Sequence, residues 1–290
     1  MAIDYRYHLA SIVAIFIALL LGIMIGIGVA PTNPAELKRI VTDIRNSNEQ
    51  TQQFKAEELV RTQQQLDEVS EMGKVTLPVV IAHKLDGQKI ALVIDHEFPG
   101  EFIESIRALF TQAGAEVIST TTITKNFITM PDTVRQQISS RLLLYPPADV
   151  PVQTTLAQTI AREIATVRAG LIPNMESIGL ITTSSDSSYT SRPDAVVLVG
   201  GANDTAEVLP DLIDVPFITE VQRFGVRIVA CESGDSLISC IPNYKAQGIT
   251  TVDNVDRLAG KLSLVWAVAG AEGHFGAKDT ADQLLPELKP

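Results

Sequence analysis

From Lys89 to Ser119 the chain reads KIALVI-DHEFPG-EFIESIRALFTQA-GAEVIS. Lys89–Ile94 is a short apolar run, which predicts a buried strand. Glu101–Ala113 places Phe102, Ile106, Leu109 and Phe110 on one side at helical spacing, which predicts an amphipathic helix. Gly114 ends that helix, and Glu116–Ser119 opens a second strand. Strand, helix and strand in that order form a βαβ unit, and such units build parallel sheets covered by helices.

The alternation continues toward the C-terminus. Helices are predicted over Pro131–Leu144 and Val152–Ala169, the second closed by Gly170. Ile178–Ile181, Ala195–Val199 and Arg227–Ala230 are strand-like apolar runs, Gly248–Val252 is a further short strand, and Val255–Ala269 is a closing helix. The expected fold is α/β, a mostly parallel, Rossmann-like three-layer domain over residues 88–290, a length that suits one domain.

Toward the N-terminus the character changes. Leu77–Ala82 reads as a short extended piece before the Asp86-Gly87 turn. Residues 35–73 form a polar, Gln- and Glu-rich segment with loose three-four spacing of Leu37, Ile40, Ile44, Thr51, Phe54, Leu59, Leu66, Val69 and Met72. Gaps at Ser47 and Gln63 make this a weak heptad pattern. It reads as a helical coiled-coil stalk that pairs with a second copy, with a single solvated helix as the competing reading.

Before the Pro31–Pro34 break, Leu9–Ala30 is a run of 22 residues without a charge, in which Ser11 is the sole polar side chain. About 20 apolar residues are needed to cross a bilayer core as a helix, so this segment is expected to be a transmembrane anchor facing lipid on every side. It is too long for a signal-peptide core, and Pro31 would block cleavage after Ala30. Residues 1–8 then lie on the far side of the membrane. Ala14, Ala18, Gly22, Gly26 and Ala30 form a small-residue stripe along the anchor, suited to close packing of two helices in lipid. Arg6 before the span and Lys38, Arg39 and Arg45 after it differ too little in number to settle orientation.

Composition narrows the partners. A formal net charge of −11 would repel phosphates, so nucleic acid is not expected. No GxGxxG, Walker lysine, GxSxG or HExxH pattern occurs, so no catalytic residue is assigned and a non-enzymatic protein is expected. In an open parallel sheet, ligands gather at the carboxyl ends of the strands. The loops there carry Asp95, His96 and Glu97 after the first strand, Gly200, Gly201, Asn203 and Asp204 after the Ala195 strand, and Glu232 and Ser233 after the Arg227 strand. His and carboxylates serve both acid–base and metal chemistry, and each loop also reads as a plain solvated connection. Cys231 and Cys240 are nine residues apart, far from CxxC spacing. They read as a disulfide, as two buried free thiols, or as soft ligands for Cu(I).

The two ends of the chain together carry a resemblance. Arg6-Tyr7-His8-Leu9-Ala10-Ser11-Ile12-Val13-Ala14-Ile15-Phe16-Ile17-Ala18-Leu19 with Gly22 and Gly26 is similar to the start of the copper transport protein B (MctB-like) family. Gly273-His274-Phe275-Gly276-Ala277-Lys278-Asp279, with Ala281 and Leu284-Leu285-Pro286, resembles the closing signature of that family. The resemblance implies a single-pass cell-membrane protein with its N-terminus in the cytoplasm and its α/β domain outside, serving copper efflux or homeostasis, with copper as the implied metal. It transfers no metal ligand residue by residue. A single span encloses no pore, so transport requires a homo-oligomer or an envelope partner. Beside this reading stand a non-enzymatic envelope scaffold working through its paired stalk, and a ligand-binding or enzymatic domain using the strand-end loops.

Overall fold

The computed structural model describes residues 13–24, 34–168 and 170–287. Residues 13–24 are helical (α1) and carry Ala14, Ala18 and Gly22 of the small-residue stripe, while Gly26, Ala30 and residues 1–12 lie outside the described residues. Among the described residues, no helix is long and apolar enough to cross a membrane.

The chain divides into two units, Met1–Val69 and Ser70–Pro290. In the first, helix α2 begins at Pro34, where a missing N–H costs nothing because the first turn has no partner for it. Its large side chains at Ile40, Ile44, Phe54, Leu59 and Leu66 are exposed. Helix α2 does not stop at Gly73: it runs from Pro34 to Ile81. Leu77–Ala82 is therefore not an extended piece. Val75, Thr76, Val79, Val80 and Ile81 favour strands locally, but the helix puts Ile81 at full burial in the domain core, and that packing overrides propensity.

In the second unit, a seven-stranded sheet of order β3-β2-β1-β4-β5-β6-β7 is present among the described residues. Its strands are β1 (Lys89–Ile94), β2 (Glu116–Ile123), β3 (Ile181–Thr183), β4 (Ala195–Gly200), β5 (Arg227–Glu232), β6 (Thr250–Val252) and β7 (His274–Phe275). All neighbours are parallel except β3, which runs antiparallel to β2. The central pair registers Ile90 with Ala195 and Ile94 with Val199.

Alternation along the strands sorts side chains into two cores. Ile90, Leu92, Ile94, Val197, Val199, Val229 and Cys231 face one layer, built by α3 (Gly100–Gln112), α10 (Leu258–Ala269) and Ile81. Ala91, Val93, Val196, Leu198, Ile228 and Ala230 face the other. That layer is built by α4 (Lys125–Thr129), α5 (Asp132–Gln137), α6 (Val152–Thr166), α7 (Ile172–Ser177), α8 (Asp214–Arg223) and α9 (Ile241–Ala246). The expected helix over Pro131–Leu144 is interrupted, since α5 passes at Ile138 into a π-helical turn ending at Leu142. Ile178 caps α7, and the expected strand there starts at Ile181.

The order 3-2-1-4-5-6 reverses direction between β1 and β4, so the crevice of such a sheet opens past Ile94 and Gly200. That is where the polar core lies.

A buried polar cluster at the switch point

Three elements deliver acidic or thiol groups to this place. Asp95 follows the last residue of β1, Asp214 is the first residue of α8, and Cys240 precedes α9. Each is buried, and one donor atom from each lies within 4.8 Å of the others. Asp95 Oδ1 is 2.7 Å from His96 Nδ1, while Asp95 Oδ2 is buried without a hydrogen-bond partner among the described residues. The Tyr244 hydroxyl donates to Asp214 Oδ2 at 3.0 Å.

Glycine is required beside them. A Cβ on Gly200 would lie 2.0 Å from the Tyr244 hydroxyl and 2.9 Å from Asp95 Oδ2. At Gly201, φ is +80° and a Cβ would meet Glu232 and Ser236 at 2.9 Å. The Gly200-Gly201 pair therefore does more than turn the chain: it brings bare backbone against the acidic groups.

Burial sets the protonation of these groups. It pushes Asp95 well above the usual carboxylate range, and the negative Glu232 and Glu207 add to the effect. Asp214 rises for the same reason, with Asp95 as its neighbour. Burial raises the Cys240 thiol to about 12, and the Cys231 thiol rises as well. His96 is held below its ordinary value by burial, against the pull of Glu207, Asp214 and Glu97. Its Nε2 sits 4.0 Å from the half-exposed Glu207, so Glu207, His96 and Asp95 form a chain of ionisable groups from surface to interior.

A second polar knot adjoins the first. Glu232, with no exposed side-chain surface, pairs with Lys278 Nζ at 2.7 Å and accepts the Cys240 N–H at 3.0 Å. Burial raises its carboxyl, and Lys278 and Ser239 pull it back. Lys278 also donates to the carbonyls of Ser233 and Ser236, both at 3.0 Å. Lys278 is aimed by the segment before it. Asp253 accepts N–H groups from Ala277 and Lys278, at 2.8 and 3.1 Å. Gly276, at φ +149°, allows that approach, because a Cβ there would lie 1.9 Å from Asp253 Oδ1. The Gly273–Asp279 signature is thus a device that delivers a lysine to a buried glutamate.

The expected residues sort as follows. Asp95, His96, Gly200, Gly201 and Glu232 come together. Glu97 points to solvent. Asn203 accepts the Leu237 N–H, and Asp204 caps the 3-10 turn Thr205–Glu207, so both organise their own loop at the surface. Ser233 Oγ accepts the Asp235 N–H. Cys231 and Cys240 are free and belong to different cores, on opposite faces of the sheet, so they form neither a disulfide nor a joint metal site. Strand alternation is the reason: Cys231 on β5 turns toward α10, and Glu232 turns toward Cys240. Asp214 and Tyr244 carry no sequence signal for the site, since they sit in helices without a local motif. Beside the cluster, a surface cleft of about 490 Å³ opens between Glu97, Phe98, Ile103, Arg107 and Thr182. There Arg107 binds Thr120, Ser184 and Asp186, and holds the Asp186 carboxyl down at about 2.

Comparison with curated individual proteins finds no match. Comparison with protein families matches residues 2–286, from the apolar N-terminal run through the lysine-bearing signature. That extent is nearly the whole chain, and the chain therefore belongs to the family described as copper transport outer membrane protein, MctB.

Proposed function

We propose that this is a single-pass envelope protein of copper homeostasis. Residues 1–8 lie in the cytoplasm, residues 9–30 form the anchor, α2 is a stalk that pairs with a second copy, and the α/β domain works outside the membrane. The supporting observation is the family match, which takes in the apolar run, the stalk and the α/β domain as one unit. Copper is the cargo in this reading. One span encloses no pore, so export depends on an assembly of copies or on an envelope partner. No covalent chemistry is assigned to the protein. The test is deletion of the gene in its host, with cell-associated copper measured after a copper challenge. The deletion strain should retain more copper, and the full chain should restore export where a chain lacking residues 1–30 should not. Unchanged copper content in the deletion strain would overturn the reading.

A second reading, an envelope scaffold acting through its stalk, is favoured by the exposed apolar side chains of Ile40, Ile44, Phe54, Leu59 and Leu66 on a 48-residue helix. It predicts normal copper content in the deletion strain together with loss of function when stalk pairing is broken. The ligand-binding or enzymatic reading has less support. The acids it needs, Asp95 and Glu232, are buried against His96 and Lys278, and Glu97 and Asn203 face solvent.

A further inference from the structure

We propose that Asp95, Asp214 and Cys240 form a resident site for a divalent first-row transition cation of borderline softness, with Zn²⁺ as the type. Four observations carry it. The donors come from three separate elements, yet their ligand atoms lie within 4.8 Å of one another. Two metal–ligand bonds of about 2.0–2.3 Å each let such atoms converge on one ion by small side-chain movements.

The second observation is an unmet need. Asp95 is 4% exposed, and its Oδ2 has no hydrogen-bond partner among the described residues. Buried carboxylate oxygens are costly to leave unbonded, and a cation at this position would satisfy Oδ2 directly. Gly200 keeps side-chain atoms away from that oxygen.

Third, both carboxyls have outer partners: His96 holds Asp95 Oδ1 and the Tyr244 hydroxyl holds Asp214 Oδ2. Metal ligands are oriented by such outer bonds. Nearby charge completes the case. Lys278 is taken up by Glu232, so among the described residues no lysine or arginine pairs with Asp95 or Asp214, and their one ionisable partner is His96 on Asp95 Oδ1.

The donor set selects the ion. Two carboxylate oxygens and one thiolate suit Zn²⁺ or Co²⁺, with a fourth position left for water. They suit Cu(I) poorly, because it prefers sulfur throughout, and Mg²⁺ or Ca²⁺ poorly, because these prefer oxygen throughout. Coordination requires the Cys240 thiol to give up its proton to water, as any metal-bound cysteine does. Glu207 and His96 mark the side from which an ion enters. The ion is a fixture of the domain, distinct from transported copper, so the site stands or falls independently of the copper-export reading.

The test uses the full chain in detergent micelles, stripped with chelator and titrated with Co²⁺ and then Zn²⁺. One equivalent of Co²⁺ should give a thiolate-to-cobalt charge-transfer band that Zn²⁺ abolishes. Cys231→Ser should keep the band and Cys240→Ser should lose it, while Tyr244→Phe should weaken binding roughly 10–100-fold. X-ray absorption on the zinc-loaded wild-type chain needs no variant and should count one sulfur among oxygen donors. A missing band, a band that survives Cys240→Ser, or a zinc shell without sulfur would each overturn the site.

Discussion

The Tyr244 hydroxyl and Asp214 Oδ2 meet at 3.0 Å with both side chains buried, one from α9 and the other from the first residue of α8. The bond ties two short helices together over the end of β4. Tyr244→Phe removes the donor and leaves a buried carboxyl oxygen without it, at a cost of about 1–3 kcal/mol. Urea denaturation of the chelated protein measures this, and an unchanged midpoint would show that the bond contributes nothing.

Gly200→Ala attacks the same spot by volume. The new methyl carbon would stand 2.0 Å from the Tyr244 hydroxyl, deep in a packed core. Overpacking of this kind costs about 1–3 kcal/mol. The double variant Gly200→Ala, Tyr244→Phe should recover part of the loss, because phenylalanine removes the clashing oxygen. Strictly additive losses in a thermal melt would contradict that.

Lys278→Met should be among the most damaging single changes in the domain. It leaves Glu232 buried without its cation, and breaking a buried pair from one side costs roughly 3–5 kcal/mol. Adding Glu232→Gln to it should restore much of the stability, since the uncompensated charge is then gone. If Lys278→Met melts like the parent chain, the pair is not a structural keystone.

The acidic cluster predicts a direction of pH dependence in metal-free protein. Unfolded aspartates titrate at about 3.9, and Asp95 and Asp214 are raised above that in the fold. Above pH ~4 the native state thus holds more protons than the unfolded chain. Their contribution is full below that pH and declines as pH rises toward the folded values. His96, lowered by burial, acts in the opposite sense and favours the fold as pH rises toward about 6.5. Glu207, Glu232, Cys240, Tyr244 and Lys278 complete the charged surroundings. The quantity to read is the stability of the parent minus that of Asp95→Asn across pH 4–7, which should shrink steadily. A difference that grows with pH would reverse the assignment.

Stalk pairing can be read by cross-linking. Both native thiols are buried, so a cysteine at Leu66→Cys supplies an accessible one on α2. Mild oxidation should yield a covalent dimer, and Ile44→Asp with Leu59→Asp should suppress it. A chain that stays monomeric at membrane-like concentration would leave α2 as a single solvated helix.

Much of this architecture was readable in advance, and for a physical reason. β1 is legible at Lys89–Ile94 because a wholly buried parallel strand is a continuous apolar run. Asp95, Gly200 and Glu232 were found because strands of a parallel sheet end on one side, which gathers their following residues. Which of those residues turns inward was not readable. Asp95 and Glu97 are two apart, yet the chain leaves the strand between them, and Glu97 ends in solvent. Asp214 and Tyr244 come from helices whose docking depends on the finished sheet, so no local pattern marks them, and Cys240 is legible as a thiol but not as a neighbour of Asp95 and Asp214. The β-branched run before Ala82 misled for the converse reason, since its conformation is decided by what Ile81 packs against.

Lys278 reaches Glu232 from 46 residues further along the chain, near its C-terminal end. β6, α10 and β7 all lie between the two residues in sequence, so the glutamate is placed by β5 well before its counterion exists in the chain. A nascent or truncated chain that stops short of the signature therefore carries an uncompensated acid in its interior. Closure of the domain around Glu232 therefore waits on a long-range contact that only a chain carrying the signature can make.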